Sequence, residues 1–299
     1  MEEEHAPGPG KGRAGAGRTR YLGGMKRTLL LLLLACAAPG CRAPGRGADP
    51  AAHPPGAVRD ALADPGRRWV SADTPHFHLH APRGSHAAPR LRRLGAEAER
   101  ARSAGLALLG ARDGPRMELV FVDGRAEMAR YVGRPVGGMG IVEQDAAFFV
   151  HDPAHGAALR HEVMHVLSWR IWGPAWDRVL SEGVATYAAG HCRGHGFHDL
   201  AAALRRDGKW VSLEELDERF GGVDDLASYL LGASLVGYVR ERWGMAAVRG
   251  LWTRGLGRSG EVVGMDREAL EAGWKRHLDR EASPVPAGWE AAVRARGCE

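Results

Sequence analysis

The sequence predicts an α+β domain, and three observations carry that prediction. Short apolar runs of strand type lie in the first half, between residues 77 and 150. Helical patterning takes over after His155 and continues to the end. Glycine-rich breaks at Gly173-Pro174, residues 194–196, Gly221-Gly222 and residues 255–260 cut that second half into segments. A small N-terminal β-sheet with helices, followed by a mostly helical C-terminal part, satisfies all three.

In chain order, residues 1–24 hold three Glu, four basic residues and many Gly and Ala, with no apolar period. Such a segment buries too little surface to order itself. Met25-Lys26-Arg27 then precedes Thr28, the leucines of residues 29–34, and Ala35-Cys36-Ala37-Ala38. A basic start, a short apolar run and small residues make residues 25–41 a secretory signal peptide. The run is shorter than the roughly 17–25 residues that span a bilayer. Met25, directly before it, points to translation starting there, with residues 1–24 an over-extended N-terminus. Leu33-Leu34-Ala35-Cys36 resembles a bacterial lipobox, whose cysteine becomes the lipidated N-terminus, and Pro39-Gly40-Cys41 is a looser match. Cys36 has the better leucine and Cys41 the more usual signal length. Both stay open, as does a plain secretory signal with two incidental cysteines. Each reading puts the mature chain outside the cytoplasm, in the bacterial envelope or secreted. Membrane contact is expected only through a lipid anchor at Cys36 or Cys41.

Residues 42–68, rich in Pro, Gly, Ala and Arg, read as a flexible tether, and residues 69–299 as one domain. Within it, Phe77 and Leu79 alternate as in a short strand. Residues 88–109 repeat Leu and Ala at helical spacing, with Arg and Glu between. Residues 117–122 form a buried type of strand closed by Asp123-Gly124. A short helix over 125–131 follows, then Gly137-Gly138-Met139-Gly140 and two strand-like pieces, Ile141-Val142 and residues 146–150. The 146–150 strand is either a sheet edge on which an extended peptide lies or a core strand. Four cysteines are too few for a disulfide scaffold in 299 residues. Cys192 and Cys298 could pair in an oxidising compartment, although the penultimate position of Cys298 weighs against it.

The formal charge of +5 and pI near 9.3 would ordinarily suggest a nucleic-acid partner. Six basic residues stand against three acidic ones before Arg42, and Arg42 and Arg46 supply the rest of the excess. From Gly47 onward the formal charge is zero. No nucleic acid is therefore expected.

The chemistry concentrates in Ala158-Leu159-Arg160-His161-Glu162-Val163-Met164-His165-Val166-Leu167. Two histidines four apart on a helix lie on one face, so their imidazoles can converge on one ion. Glu162 is placed to reach a water on that ion without being a ligand. Zinc brings such a water's pKa towards neutrality, and the carboxylate can pass its proton to a leaving amine. The plainer alternative is a core helix with two satisfied histidines, but its apolar flanks would then bury costly polar groups. Two histidines leave a catalytic zinc one protein ligand short. If the residues after Gly173-Pro174 form an antiparallel helix, Glu182 can face back to the histidines.

His161-Glu162-x-x-His165 followed by Leu180-Ser181-Glu182-Gly183 resembles the gluzincin metallopeptidases, especially their bacterial peptidase-MA-like branch. The resemblance covers roughly residues 69–279. It implies a zincin-like fold, one catalytic Zn2+, a peptide or protein substrate, and Glu182 as third zinc ligand beside His161 and His165. Other zincins fit worse. A metzincin needs a Gly and a third His soon after His165, where Ser168, Ile171 and Trp172 stand, and Asp177 lacks the Gly-Thr-x-Asp frame of an aspzincin. Many gluzincins carry an Asp four residues after the ligand Glu, orienting a zinc-bound His. Thr186 stands there, so it or another group must serve, or the site is looser. Tyr229 sits where relatives often carry a tyrosine that steadies the oxyanion; a ring packed in an apolar helix is the other reading.

The remaining histidines have two readings each. His76, His78 and His80 share one strand face, and His191, His195 and His198 surround Cys192. Either set could bind metal or be incidental. His151 and His155 belong to the loop entering the zinc helix. The expectation is an extracytoplasmic zinc metallopeptidase, a lipoprotein and a monomer. The alternatives are a catalytically weak or inactive zinc-stabilised binding or structural module, and a cytosolic peptidase with a spurious leader. The intact Glu162 favours an enzyme, because a purely structural site has no use for a base.

Overall fold

The computed structural model describes residues 54–298 apart from His155, and of Arg296 only the backbone. The signal segment and both lipobox cysteines lie outside these residues. Five strands form one sheet: β1 (Trp69–Asp73), β2 (Phe77–Pro82), β3 (Met117–Val122), β4 (Gly138–Ile141) and β5 (Ala146–Val150). Their order is β1-β2-β3-β5-β4, with β2, β3 and β5 parallel and the two outer strands antiparallel to their neighbours. The helices are α1 (Ala57–Leu62), α2 (Leu91–Leu109), α3 (Arg125–Val132), α4 (Leu159–Trp172), α5 (Arg178–Ala189), α6 (Phe197–Arg206), α7 (Leu213–Arg219), α8 (Asp225–Trp243), α9 (Met245–Arg254), α10 (Ser259–Val263), α11 (Arg267–Glu281) and α12 (Trp289–Arg296). With 58% helix, 12% strand and one sheet, the class is α+β.

Alternation along the central strands builds two cores. Phe77, Leu79, Leu119, Phe121, Ala147 and Phe149 join the larger core, with α2, α4 and the later helices. Val120, Val122, Ile141, Ala146 and Phe148 face α1 and α3. Helices α4 and α8 are apolar around most of their circumference and lie inside the helical part, as that composition requires.

One expectation changes and two open readings are decided. Residues 57–62, read as tether, form α1; Ala57 and Ala61 are buried, and Trp69 Nε1 donates to Ala61 O at 3.1 Å. Two alanines one turn apart give this short helix a small apolar face, enough to dock it beside α3. The 146–150 strand is no edge: β5 is paired on both sides, and the edge is β4, one turn earlier in the chain. Cys192 and Cys298 do form a disulfide. Buried Trp289 and Val293 anchor α12, and Arg193 N–H donates to Cys298 O at 2.9 Å, which brings the chain end alongside. No helix among the described residues is long and apolar enough to cross a membrane.

A candidate metal centre

Helix α4 carries His161 and His165 one turn apart, with ring centroids 4.7 Å apart and planes 81° apart. After the turn at Gly173-Pro174 the chain reverses into α5, which presents Glu182. The reversal is held by Asp177, buried at the start of α5, whose Oδ2 accepts from Leu256 N–H at 2.6 Å. Asp177 is thus committed to a loop contact. Glu182 is positioned by a helix crossing: a Cβ on Gly183 would lie 2.7 Å from Gly232 O of α8, so only glycine permits this approach.

Three donor atoms converge there. His161 Nε2 and His165 Nε2 are 3.0 Å apart, and Glu182 Oε2 lies 3.3 Å from each. Ligands about 2.1 Å from a common centre in a tetrahedral arrangement sit about 3.4 Å from one another. Thr186 Oγ1 lies 3.5 Å from His161 Nδ1, and Ser181 Oγ lies 3.5 Å from His165 Nδ1. With Nδ1–H of each ring turned to these hydroxyl oxygens, both Nε2 atoms offer lone pairs inward. Glu182 Oε2 is buried and makes no hydrogen bond. Lone pairs facing one another in a buried space repel unless a cation lies between them. These residues could hold a metal ion.

Glu162, on the same helix, is buried beside the cluster. Burial pushes its carboxyl up to about 7; Glu182 adds to the rise, while His161 and the N–H of Gly140 oppose it. Burial also disfavours the Glu182 carboxylate, but positive charge on the His165 and His161 rings, when they are protonated, outweighs it and holds that group well below the usual range. The edge strand β4 crosses directly over α4. A Cβ on Gly138 would lie 2.5 Å from Glu162 Oε1, and one on Gly140 would lie 3.1 Å from His165 Cβ. Val150 N–H donates to Gly137 O, so alternation turns the N–H and C=O groups of Gly138 and Gly140 away from β5. Glycines inside a strand mark a close backbone approach, and that signal stood in Gly137-Gly138-Met139-Gly140.

Tyr229 of α8 is half-buried beside the cluster, its ring centroid 6.0 Å from that of His161. Burial and then the Glu182 charge raise its phenol above the ordinary value, keeping it a neutral donor. Phe220 packs edge-on against it at 5.4 Å, and the Arg178 guanidinium lies over Phe220 at 5.4 Å while its Nε is 3.8 Å from Glu182 Oε1. Neither Arg178 nor Phe220 belongs to a motif, and the sequence held no signal for them.

The other histidines disperse. His76, His78 and His80 pair separately with Glu99, Asp73 and Glu118. His151 is buried against the rings of His86 and Phe121, a core position. His155 lies outside the described residues. His191 and His195 stay in the loop around the disulfide, whereas His198 meets Glu241 and His277. No protein-family model matches the chain, and no curated protein matches it.

Proposed function

We propose that this protein is a zinc-dependent metallopeptidase of gluzincin type, acting outside the cytoplasm. One observation carries the reading: a buried carboxylate, Glu162, lies beside three converging donors, His161 Nε2, His165 Nε2 and Glu182 Oε2. His161, His165 and Glu182 would hold the ion. When bound, zinc supplies a Lewis-acidic centre that polarises a carbonyl and brings a water within reach of deprotonation near neutral pH.

This chain's residues do the rest. Glu162, whose carboxyl exchanges a proton near neutrality, takes the proton from the attacking water and delivers it to the leaving amine. With an ion held by His161, His165 and Glu182, the Glu162 carboxyl would favour its base form. Gly140 N–H fixes the Glu162 carboxylate against β4. The phenol of Tyr229 serves as donor to the developing oxyanion. Apart from the Gly140 N–H held by Glu162, the outward backbone groups of β4 would offer a peptide a strand to pair with, and its glycines let it approach α4. Thr186 and Ser181 orient the two imidazoles in place of carboxylates. The Cys192–Cys298 disulfide suits an oxidising compartment, in keeping with the signal and lipid anchor proposed at Cys36 or Cys41.

Zinc content and hydrolysis of a broad peptide library, measured for wild type and Glu162→Gln, test the reading. Wild type should hydrolyse peptides, and the variant should retain zinc while losing about 10²–10⁴-fold in rate. No hydrolysis by zinc-loaded wild type would leave a binding or structural module instead.

A further inference from the structure

A second set of two imidazoles and a carboxylate lies in the helical part, on three different helices. His198 is on α6, Glu241 on α8 and His277 on α11. His198 Nε2 is 3.4 Å from Glu241 Oε1, and His277 Nε2 is 3.1 Å from Glu241 Oε2. The two rings stand 4.8 Å apart at 77°, nearly the arrangement of His161 and His165. One donor atom from each residue lies within 4.8 Å of the others. We propose that His198, Glu241 and His277 form a second metal site, for a zinc-type divalent transition ion, that clamps α6, α8 and α11 together.

The surroundings are built for ligation. His277 Nε2 is buried and makes no hydrogen bond, despite the nearby Glu241 carboxylate. An ion pair of donor and acceptor would align that N–H with the oxygen; a lone pair directed at a shared cation need not. His198 Nδ1 lies 2.8 Å from Ser234 Oγ, and the same oxygen accepts from Trp274 Nε1 at 3.0 Å. Ser234 is buried and accepts from Trp274 Nε1, and its second lone pair can accept from His198 Nδ1–H. In that tautomer His198 presents the lone pair of Nε2 to Glu241. A ligating histidine is ordinarily held this way by a partner on its other nitrogen.

Helix periodicity aims these groups at one another. Ser234, Gly237 and Glu241 lie on one face of α8, and Gly273 and His277 one turn apart on α11. A Cβ on Gly237 would lie 3.1 Å from His198 Cε1, so the glycine makes room for the ring. Glu241 is 47% exposed while the histidines are 19% and 15% exposed, which leaves the carboxylate side open for water ligands. Two imidazoles with a carboxylate are a donor set of zinc.

The site does not depend on the peptidase reading, and the experiment separates them. The full chain, purified in detergent, is stripped with chelator and dialysed against Zn2+, and zinc is counted per chain. Wild type should hold two ions, His277→Gln one, and His161→Gln one. Because a buried histidine variant can disturb helix packing, the isosteric Glu241→Gln at the half-exposed carboxylate is the second variant, and it too should hold one. Zinc should raise the melting temperature of His161→Gln but not of the double variant His161→Gln/His277→Gln. A wild type with one ion that His161→Gln removes, or a count untouched by both His277→Gln and Glu241→Gln, overturns the proposal. One ion kept in His161→Gln and lost in His277→Gln supports this site and counts against zinc at His161.

Discussion

The two His-His-Glu clusters are alike in donors and ring geometry, and they differ in what stands beside them. His161, His165 and Glu182 are 17%, 15% and 14% exposed, next to the buried carboxyl of Glu162, which accepts from Gly140 N–H of the edge strand β4. At His198, Glu241 and His277 the carboxylate faces solvent. The adjacent Asp199 has given its oxygens to the N–H groups of Gly196 and Ser283. On the proposed reading, Glu162 as base and β4 as a surface for an extended chain suit the first cluster to chemistry. Three helices joined at one point make the second suited to holding structure. The same ligand set therefore does not define a function; the neighbouring proton acceptor and the access do.

The comparison breaks hardest at Glu182. Glu182→Gln should cost at least about 10²-fold in hydrolysis, beyond the scale seen when groups that merely support a ligand are lost. Zinc titration with a peptide-cleavage assay measures it, and wild-type rates at saturating zinc would remove Glu182 from the site. A smaller effect is expected from Gly183→Ala. Its methyl would meet the Gly232 carbonyl, so α5 must shift from α8, costing about 1–3 kcal/mol by denaturant unfolding and weakening zinc at the first cluster rather than the second. Unchanged stability would mean that the crossing is looser than the 2.7 Å approach implies.

The smallest effect concerns pH in the metal-free protein. Burial holds His198 below its ordinary 6.5, against the pull of Glu241. The unfolded chain then takes up a proton where the folded one resists it, so His198 lowers stability as pH falls through about 6.5. Unfolding free energies at pH 7.5 and 5.5 should differ less in His198→Gln than in wild type. An equal difference would place the proton uptake elsewhere.

Much of the first cluster was legible because it is local. Helical rotation alone puts His161 and His165 on one face with Glu162 beside them, and that holds for any helix with this spacing. Glu182 needed only a turn and one antiparallel helix. The β4 edge was harder, since glycines weaken a strand pattern and the apolar run next to it drew the reading to β5. The tether was misread because Ala57 and Ala61 give too small an apolar face to stand out from a Pro- and Ala-rich stretch. The disulfide depended on where α12 packs, which no local pattern states.

By itself the sequence determined the class, the strands of the central sheet, the neutral charge of the domain, and the histidine pair with Glu162 beside it, since each is set by residue type at short spacing. Only the tertiary structure decided that β4 lies over α4, that Gly183 and Gly232 let α5 and α8 touch, and that His198, Glu241 and His277 meet at all. Those three lie on helices far apart along the chain. Their meeting is fixed by the packing of three helices, not by any period within one of them.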